Sequence, residues 1–203
     1  MPPASPTRRI LLADADAFFV AVARQEDPEG AGRAPLLIVG GRPGSRGVVC
    51  SASYECRAFG VRSAMPIARA LQLCPDALCV PVPRGACSRR SRDIARVLHT
   101  FAPVVQASSI DEWYLDLSGT EALYQHEPLA ETARRIRAAV LDATGLSVSI
   151  GVATDPFDGT GLDRLLTSAD RRAYFAKDSG RGCVIADDDV STQVRHARDF
   201  APS

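Results

Sequence analysis

The chain has 203 residues, of which 46% are hydrophobic, and its 24 basic and 24 acidic residues cancel to a formal net charge of zero. That apolar content excludes a disordered chain, and the length suffices for one large domain or two small ones. No apolar run approaches the roughly 20 residues of a membrane span, and the N-terminus shows no signal-peptide pattern. Six cysteines without a CxxC pair favour reduced thiols over a zinc site. We therefore expect a globular cytoplasmic protein.

The zero net charge conceals an uneven distribution. Residues 1–100 carry 14 arginines against 8 acidic residues, whereas residues 101–203 have an excess of acidic residues. An arginine-rich surface can meet phosphate groups, and an acidic one can hold a metal ion or simply be solvated. Lys177 is the only lysine in the chain. The preference for arginine can also reflect coding bias alone.

Short elements separated by glycine and proline are predicted for the first half of the chain. A buried strand over residues 9–14 ends in a carboxylate and precedes a helix over residues 17–24. Ser53 is a predicted helix cap, and Pro66 is predicted to be the first residue of a helix. The remaining elements are strands at 35–41, 47–51 and 78–82 and helices at 53–59, 66–73 and 86–101.

The second half is predicted to be more regular. Its elements are strands at 104–108, 113–117, 146–153 and 183–186 and helices at 128–144 and 162–177. With residues 31–80 set aside, the order is β-α-β-β-α-β followed by α-β, which is typical of a ferredoxin-like α+β fold. We expect one domain built from residues 1–30 and 81–186, an inserted subdomain at 31–80, and a polar tail at 187–203.

Three carboxylates are placed by this order near one edge of the sheet. Asp14 ends the first strand, and Asp111 and Glu112 lie in the turn before the third, which is adjacent to the first in a ferredoxin-like sheet. Carboxylates in one place need a cation, and hard oxygen ligands favour Mg²⁺, two of which serve in nucleotidyl transfer. Alternatively, Asp14 caps the following helix and the Asp-Glu pair forms a polar turn. Asp16 is interpreted as structural, as a helix-start carboxylate favoured by the dipole.

Four segments in order resemble the motifs of Y-family (translesion) DNA polymerases. They are residues 10–19 (ILLADADAFF), 47–66 (GVVCSASYECRAFGVRSAMP), 108–116 (SSIDEWYLD) and 149–153 (SIGVA). The resemblance implies a catalytic palm, which would be residues 1–30 and 81–186, and a fingers insertion at 31–80. It implies that Asp14, Asp111 and Glu112 bind the metal ions, two Mg²⁺ or Mn²⁺ as a substitute, together with the backbone carbonyl of Ala15.

The same resemblance assigns residues to the nucleotide. Phe18 and Phe19 belong to the first motif, and Phe19 matches the aromatic steric gate beneath the sugar, which implies deoxynucleotides; the alternative is a plain core phenylalanine. Tyr54 and Arg57, three residues apart on one helical face, match residues that hold the triphosphate, and Ser51 matches a nearby hydroxyl.

After Ala153 the pattern departs from the Y family. Residues 165–184 are more similar to the end of GGDEF-type diguanylate cyclases, in which a lysine and an arginine four residues later bind nucleotide phosphates. Both comparisons imply phosphate binding by Lys177, whereas only the cyclase comparison supports Arg181. The alternative is a solvated helix C-terminus with favourable charges.

These resemblances imply a minimal, low-fidelity and distributive DNA polymerase that adds dNTPs to a primer 3′-hydroxyl and lacks the family's thumb and little finger. Arg42, Arg46 and Arg62 are the candidate DNA contacts, and a partner protein or clamp would replace the missing DNA-holding domains. Two alternatives remain: a GGDEF-like nucleotide cyclase or cyclic oligonucleotide synthase, and a non-catalytic polymerase-like accessory protein. Against the cyclase, Ser109-Ile110 replace the glycine pair that precedes Asp-Glu in that family.

Overall fold

The computed structural model describes residues 7–44, 46–159, 161–179 and 181–186, which form eight strands and six helices. All the predicted strands and helices are present, with ends that differ by a few residues. The predicted tail at 187–203 lies outside the described residues. In chain order the elements are β1 Arg9–Ala15, α1 Phe18–Glu26, β2 Leu37–Gly40, β3 Val49–Ala52, α2 Tyr54–Ala58, α3 Ile67–Leu73, β4 Leu78–Pro81, α4 Arg84–Leu98, β5 Val104–Ala107, β6 Glu112–Asp116, α5 Leu129–Thr144, β7 Val148–Thr154, α6 Leu162–Asp178 and β8 Val184–Ile185.

The chain divides into two compact units. Unit 1 comprises Met1–Asp16 and Ser91–Ser203, and unit 2 comprises Ala17–Arg90. One boundary therefore falls directly after β1, and the other falls within α4. The assignment of residues 1–30 and 81–186 to a palm and of 31–80 to fingers stays a prediction.

Unit 1 contains a five-stranded sheet in the order β5-β6-β1-β7-β8. β1 runs antiparallel to both β6 and β7, and β8 is parallel to β7. Leaving β8 aside, the strands follow the ferredoxin-like order in which the first and third strands of the βαββαβ unit are central neighbours. The predicted α+β class is confirmed.

The core of unit 1 lies on β1, because all seven of its residues are buried. Ile10 and Leu12 pack with Leu165 and Ala169 of α6, which also covers β7 and β8. The approach of α6 is close at Gly151 on β7: a Cβ there would lie 1.9 Å from the carbonyl oxygen of Ala169. A side chain at this position would therefore push the helix off the sheet.

Unit 2 is built on a second sheet with the order β3-β2-β4. Ile38 on β2 packs with apolar residues of β3, α2 and α3. The small helix α2 is capped by Ser53, whose hydroxyl accepts a hydrogen bond from the Cys56 amide at 3.4 Å. The other side of β2 contacts α1 through Val20 and Ala23. The predicted cap at Ser53 is confirmed.

Two proline positions differ by one residue from the prediction. Pro66 and Pro128 lie just before α3 and α5, with extended ψ angles of 136° and 137°. Proline has φ near −65° whether it precedes a helix or is its first residue, so the sequence signal does not separate the two positions.

The cysteines are free thiols, and the buried sulfurs of Cys56 and Cys74 lie 3.9 Å apart. Across the described residues, none of the helices has both the length and the apolar character needed to cross a membrane.

Candidate active site

The pairing of β1 with β6 places the three predicted metal-binding acidic residues of unit 1 close together along the backbone. Asp14 and Glu112 are directly opposite each other in the antiparallel ladder. One position further, the amide of Ala15 donates to the carbonyl of Asp111 at 2.8 Å. The backbone thus places all three predicted metal-binding residues at the same end of two neighbouring strands.

Asp14 is 4% exposed and forms an ion pair with Lys177, whose Nζ donates to Oδ2. Burial raises the pKa of the Asp14 carboxyl to about 7; the Lys177 ammonium opposes this shift, and the neighbouring Glu112 carboxyl adds to it. The second oxygen of Asp14, Oδ1, is buried and has no hydrogen-bond partner. A buried acceptor without a partner is costly, so this atom is suited to an additional cation.

Asp111 is held by its own turn. The Ser109 hydroxyl donates to Asp111 Oδ1 at 2.7 Å and accepts from the Asp111 amide at 3.3 Å. Within residues 7–44, 46–159, 161–179 and 181–186, no three acidic, histidine or cysteine side chains form a group that could hold a metal ion. The Asp14 and Glu112 side chains are close enough to interact. The expected convergence of all three carboxylates is therefore present only in the backbone register of the described residues, with Asp14 paired to Lys177 and Asp111 bonded to Ser109.

A metal ion nevertheless fits this donor set. Asp14 Oδ1 lacks a hydrogen-bond partner, and Glu112 lies opposite Asp14 in the ladder. Asp111 is the residue immediately before β6. All the available ligands are hard oxygen donors, which suit Mg²⁺ or Mn²⁺ rather than zinc. The alternative in which Asp14 caps the next helix does not hold, because α1 begins after Ala17 and has no side-chain cap.

Lys177 lies in the last turn of α6, with its side chain 29% exposed. Its observed partner is the Asp14 carboxylate rather than an exposed helix end, which is a contact that sequence spacing could not reveal. Arg181 follows the helix with a left-handed φ of 64°, and its amide donates to the Ala176 carbonyl at 3.0 Å.

Asp16 forms a second polar cluster at the end of β1. Its Oδ1 accepts from Ser149 Oγ at 2.7 Å, and its Oδ2 accepts from Ser147 Oγ at 2.9 Å and from the Gly182 amide at 3.0 Å. The interpretation of Asp16 as a structural residue agrees with these bonds, but it does not stabilise the start of α1. Two hydroxyl residues at alternate positions on a strand, Ser147 and Ser149, were the sequence signal for this cluster.

In unit 2 the two adjacent phenylalanines differ in exposure. Phe18 is 2% exposed, whereas Phe19 is partly buried and packs beside Val20 and Leu37. The two rings meet edge to face, with centroids 5.5 Å apart. Phe19 therefore has ring surface available for a ligand, and Phe18 has almost none.

Tyr54 and Arg57 do share one face of α2. The Arg57 guanidinium carbon lies 5.3 Å from the centre of the Tyr54 ring, and Arg57 Nε donates to the Ala52 carbonyl at 2.9 Å. Tyr54 is 42% exposed. Ser51, on the preceding strand, is buried at 5% exposure.

The three candidate DNA-binding arginines are exposed in unit 2. Arg42 and Arg46 lie between β2 and β3. Arg62 donates to the Arg57 and Val61 carbonyls at 2.7 and 3.0 Å, which fixes its side chain close to α2.

Comparison with known proteins decides the family. The sequence model of the impB/mucB/samB family matches residues 13–158, which is more than half of the chain. The chain belongs to the impB/mucB/samB family. The match includes the segments that carry Asp14, Tyr54, Asp111 and Gly151, and it ends before α6.

Several proteins that the chain is similar to are DNA polymerases. The chain is 41% identical over 150 residues to DNA polymerase IV of Xanthomonas campestris pv. campestris (strain 8004), a match that covers 74% of the chain and 40% of that relative. A solved insertion ternary complex of Dbh DNA polymerase has a TM-score of 0.70 and 28% identity, covering 88% of this chain and 48% of that one. A Y-family DNA polymerase chimera has a TM-score of 0.70 and 29% identity, with the same coverage.

These findings confirm the predicted resemblance to the palm and fingers of Y-family DNA polymerases and do not favour the cyclase alternative. The chain spans about 40% of the length of the curated relatives that it matches.

Proposed function

We propose that this chain supplies the palm and fingers of a Y-family DNA-directed DNA polymerase, a nucleotidyltransferase that joins a dNTP to a primer 3′-hydroxyl with release of pyrophosphate. The observation that carries the proposal is the pairing of Asp14 with Glu112 across β1 and β6, with a buried Asp14 oxygen left without a partner, in a member of a polymerase family.

Asp14, Asp111, Glu112 and the Ala15 carbonyl are the proposed ligands of two Mg²⁺ ions, for which Mn²⁺ could substitute. When bound, such ions supply Lewis-acid stabilisation of the attacking and leaving oxygens. Asp14 is already buried and the Asp111 carboxylate is already oriented by the Ser109 hydroxyl, so both proposed ligands are held in place before an ion binds. Until a cation is bound, the Lys177 ammonium balances the charge of Asp14.

The proposed contacts to the nucleotide follow the motif resemblance. Phe19 would exclude a 2′-hydroxyl. Phe18 would support the Phe19 ring, which it contacts in an edge-to-face arrangement. Arg57 and Tyr54, which already stack on each other, would bind the triphosphate together with Ser51. Lys177 and Arg181 would neutralise phosphate charge, the role that the cyclase-like segment 165–184 implies.

Arg42, Arg46 and Arg62 are the proposed contacts to the primer–template. Affinity that depends on few phosphate contacts is weak and falls further as salt is raised, so distributive synthesis is expected. Low fidelity is what the resemblance to translesion polymerases implies. A partner protein or clamp would extend the DNA contact. Dbh DNA polymerase, which is similar to this chain, has been solved as ternary complexes, one of them with partially disordered substrates, and this is a precedent for the proposed assembly.

Primer extension on a defined template tests this function. With Mg²⁺ and low salt, the chain should extend the primer with dNTPs, and a variant combining Asp111→Asn with Glu112→Gln should lose at least about a hundredfold in rate. Asp142→Asn, which changes an exposed carboxylate on α5, is the matched control and should retain activity. Extension that survives the double substitution would refute the proposed site. A cyclic product formed from GTP without primer would instead indicate a cyclase.

Phe19→Ala gives a separate test of the gate. Removing the ring should raise the incorporation of ribonucleotides relative to deoxynucleotides, because a 2′-hydroxyl then has room. An unchanged ratio would mean that Phe19 is only a core residue of unit 2.

A further inference from the structure

The backbone amide and the backbone carbonyl of Gly182 both form hydrogen bonds with charged side chains of unit 1. Its amide donates to Asp16 Oδ2 at 3.0 Å, and its carbonyl accepts from Arg137 Nη1 on α5. Asp16 is 7% exposed. Charge-assisted hydrogen bonds of this kind are stronger than neutral ones, and they act here on the segment that directly follows α6.

This segment adopts a backbone conformation that needs support. Arg181 and Gly182 are consecutive residues in the left-handed region, with φ angles of 64° and 53°. A non-glycine residue there costs free energy and persists only when its surroundings impose it. The surroundings supply further bonds: the Arg181 amide and the Cys183 thiol both donate to the Ala176 carbonyl, at 3.0 and 3.3 Å.

Two aspartates at and just after the end of β1 contact the last turn of α6 and the segment that follows it. Asp14 holds the side chain of Lys177, and Asp16, two residues later, holds the main chain of Gly182. Of the two proposed phosphate ligands, Lys177 lies in the last turn of α6 and Arg181 directly precedes Gly182, so the contact with Asp16 anchors the backbone just beyond both.

We propose that Asp16 is a positioning residue for the polymerase reaction, which sets Lys177 and Arg181 for contact with the nucleotide triphosphate by holding the Gly182 amide. This inference rests on the proposed function. Asp16 does not touch the nucleotide in this scheme; it acts through the backbone that follows α6.

The chemistry of Asp16 allows its two oxygens to be separated by substitution. Oδ2 accepts hydrogen bonds from the Gly182 amide and the Ser147 hydroxyl, whereas Oδ1 accepts one from the Ser149 hydroxyl. Asp16→Asn can keep the hydrogen bond with the Gly182 amide, because the asparagine carbonyl oxygen can take the position of Oδ2. Its NH₂ group would then donate to the Ser149 hydroxyl, since a hydroxyl can accept as well as donate. Asp16→Ala removes all three contacts, those with Gly182, Ser147 and Ser149, whereas Ser149→Ala removes only the one to Oδ1.

The test compares these three variants in steady-state primer extension. Asp16→Ala should raise KM for the dNTP about tenfold with kcat changed less than about threefold, the pattern of lost ground-state binding. Asp16→Asn should restore KM to within about threefold of the unaltered chain. Ser149→Ala should lower stability without raising KM, because it leaves the Gly182 contact in place.

Hydrogen exchange of the Gly182 amide supplies a readout independent of activity. Exchange should accelerate at least about tenfold in Asp16→Ala but not in Asp16→Asn or Ser149→Ala. Faster exchange with an unchanged KM would overturn the proposal and leave Asp16 a purely structural residue. Equal KM changes in all three variants would overturn it as well.

The two proposals fail differently. If the unaltered chain does not extend a primer, the polymerase function fails, and titration of the chain with dATP then decides the role of Asp16. An affinity for dATP that falls about tenfold in Asp16→Ala and recovers in Asp16→Asn would support positioning of the phosphate ligands. An affinity equal in all variants, or none in the unaltered chain, would overturn it.

Discussion

Replacing Gly151 with alanine tests whether α6 rests directly on the backbone of β7. The added Cβ would lie 1.9 Å from the Ala169 carbonyl oxygen and 2.5 Å from the Ala173 amide nitrogen. Non-bonded contacts to a Cβ are essentially never shorter than 3.0 Å, so the helix must retreat by at least about 1 Å. Neither contact can be relieved by a side-chain rotation, since both atoms belong to the helix backbone.

The magnitude follows from what α6 buries. Overpacking in a core costs about 1–3 kcal/mol when side chains can adjust. Here Leu165, Ala169 and Ala173 are all buried against the sheet and would separate from it together. We therefore expect the free energy of unfolding to fall by about 3 kcal/mol, a large part of the 5–15 kcal/mol typical of a domain.

Urea denaturation followed by circular dichroism measures this loss. Gly161→Ala is the matched control, because it adds the same methyl group at the start of the same helix, where a Cβ meets nothing within 4 Å. It should change the unfolding free energy by less than about 1 kcal/mol. If Gly151→Ala were no more destabilising than this control, the close contact between α6 and β7 would be wrong.

Three further predictions concern stability and reactivity. Ala17→Gly should raise the unfolding free energy by about 0.5–1 kcal/mol in urea denaturation, because Ala17 has a left-handed φ of 46° at the start of α1; a decrease would contradict it. Arg172→Met should lower the same quantity by about 3 kcal/mol, because it leaves Asp158, whose Oδ1 lies 2.6 Å from the guanidinium, buried without its counter-charge; adding Asp158→Asn should recover part of the loss, and additive costs would argue against the pair. Iodoacetamide at pH 8 should label exposed Cys50 but not Cys74 as judged by peptide mass spectrometry, since burial raises the pKa of the Cys74 thiol to about 11; equal labelling would refute this.

The order of the elements was predictable from the sequence because each has local signals. The apolar stripe of α6 and the alternation in β7 fix their type, and the count of strands then selects the ferredoxin-like arrangement. The register of the pairing between β1 and β6 was harder to predict from the sequence. Asp14 lies opposite Glu112 rather than Asp111, a one-residue distinction that depends on the turn geometry set by Ser109.

The partners of the charged groups could not be predicted. Lys177 and Asp14 are 163 residues apart, and spacing gives no information about a contact of that range. The same holds for Asp16, whose three donors are Ser149 on β7, Ser147 just before β7, and Gly182 after α6. A local pattern suggested that Asp16 interacts with the dipole of α1, whereas in the structure it binds Ser147, Ser149 and Gly182, which are distant in sequence.

The central position of β1 has a consequence for synthesis on the ribosome. β1 is made before both of its neighbours in the sheet, because β6 and β7 begin only at Glu112 and Val148. At 5–20 residues per second, β1 waits on the order of 10 s before its second edge can pair. Meanwhile Ala17–Arg90, which form unit 2 from one continuous stretch, can fold. An apolar strand with two open edges during this interval makes the nascent chain a natural client for chaperones.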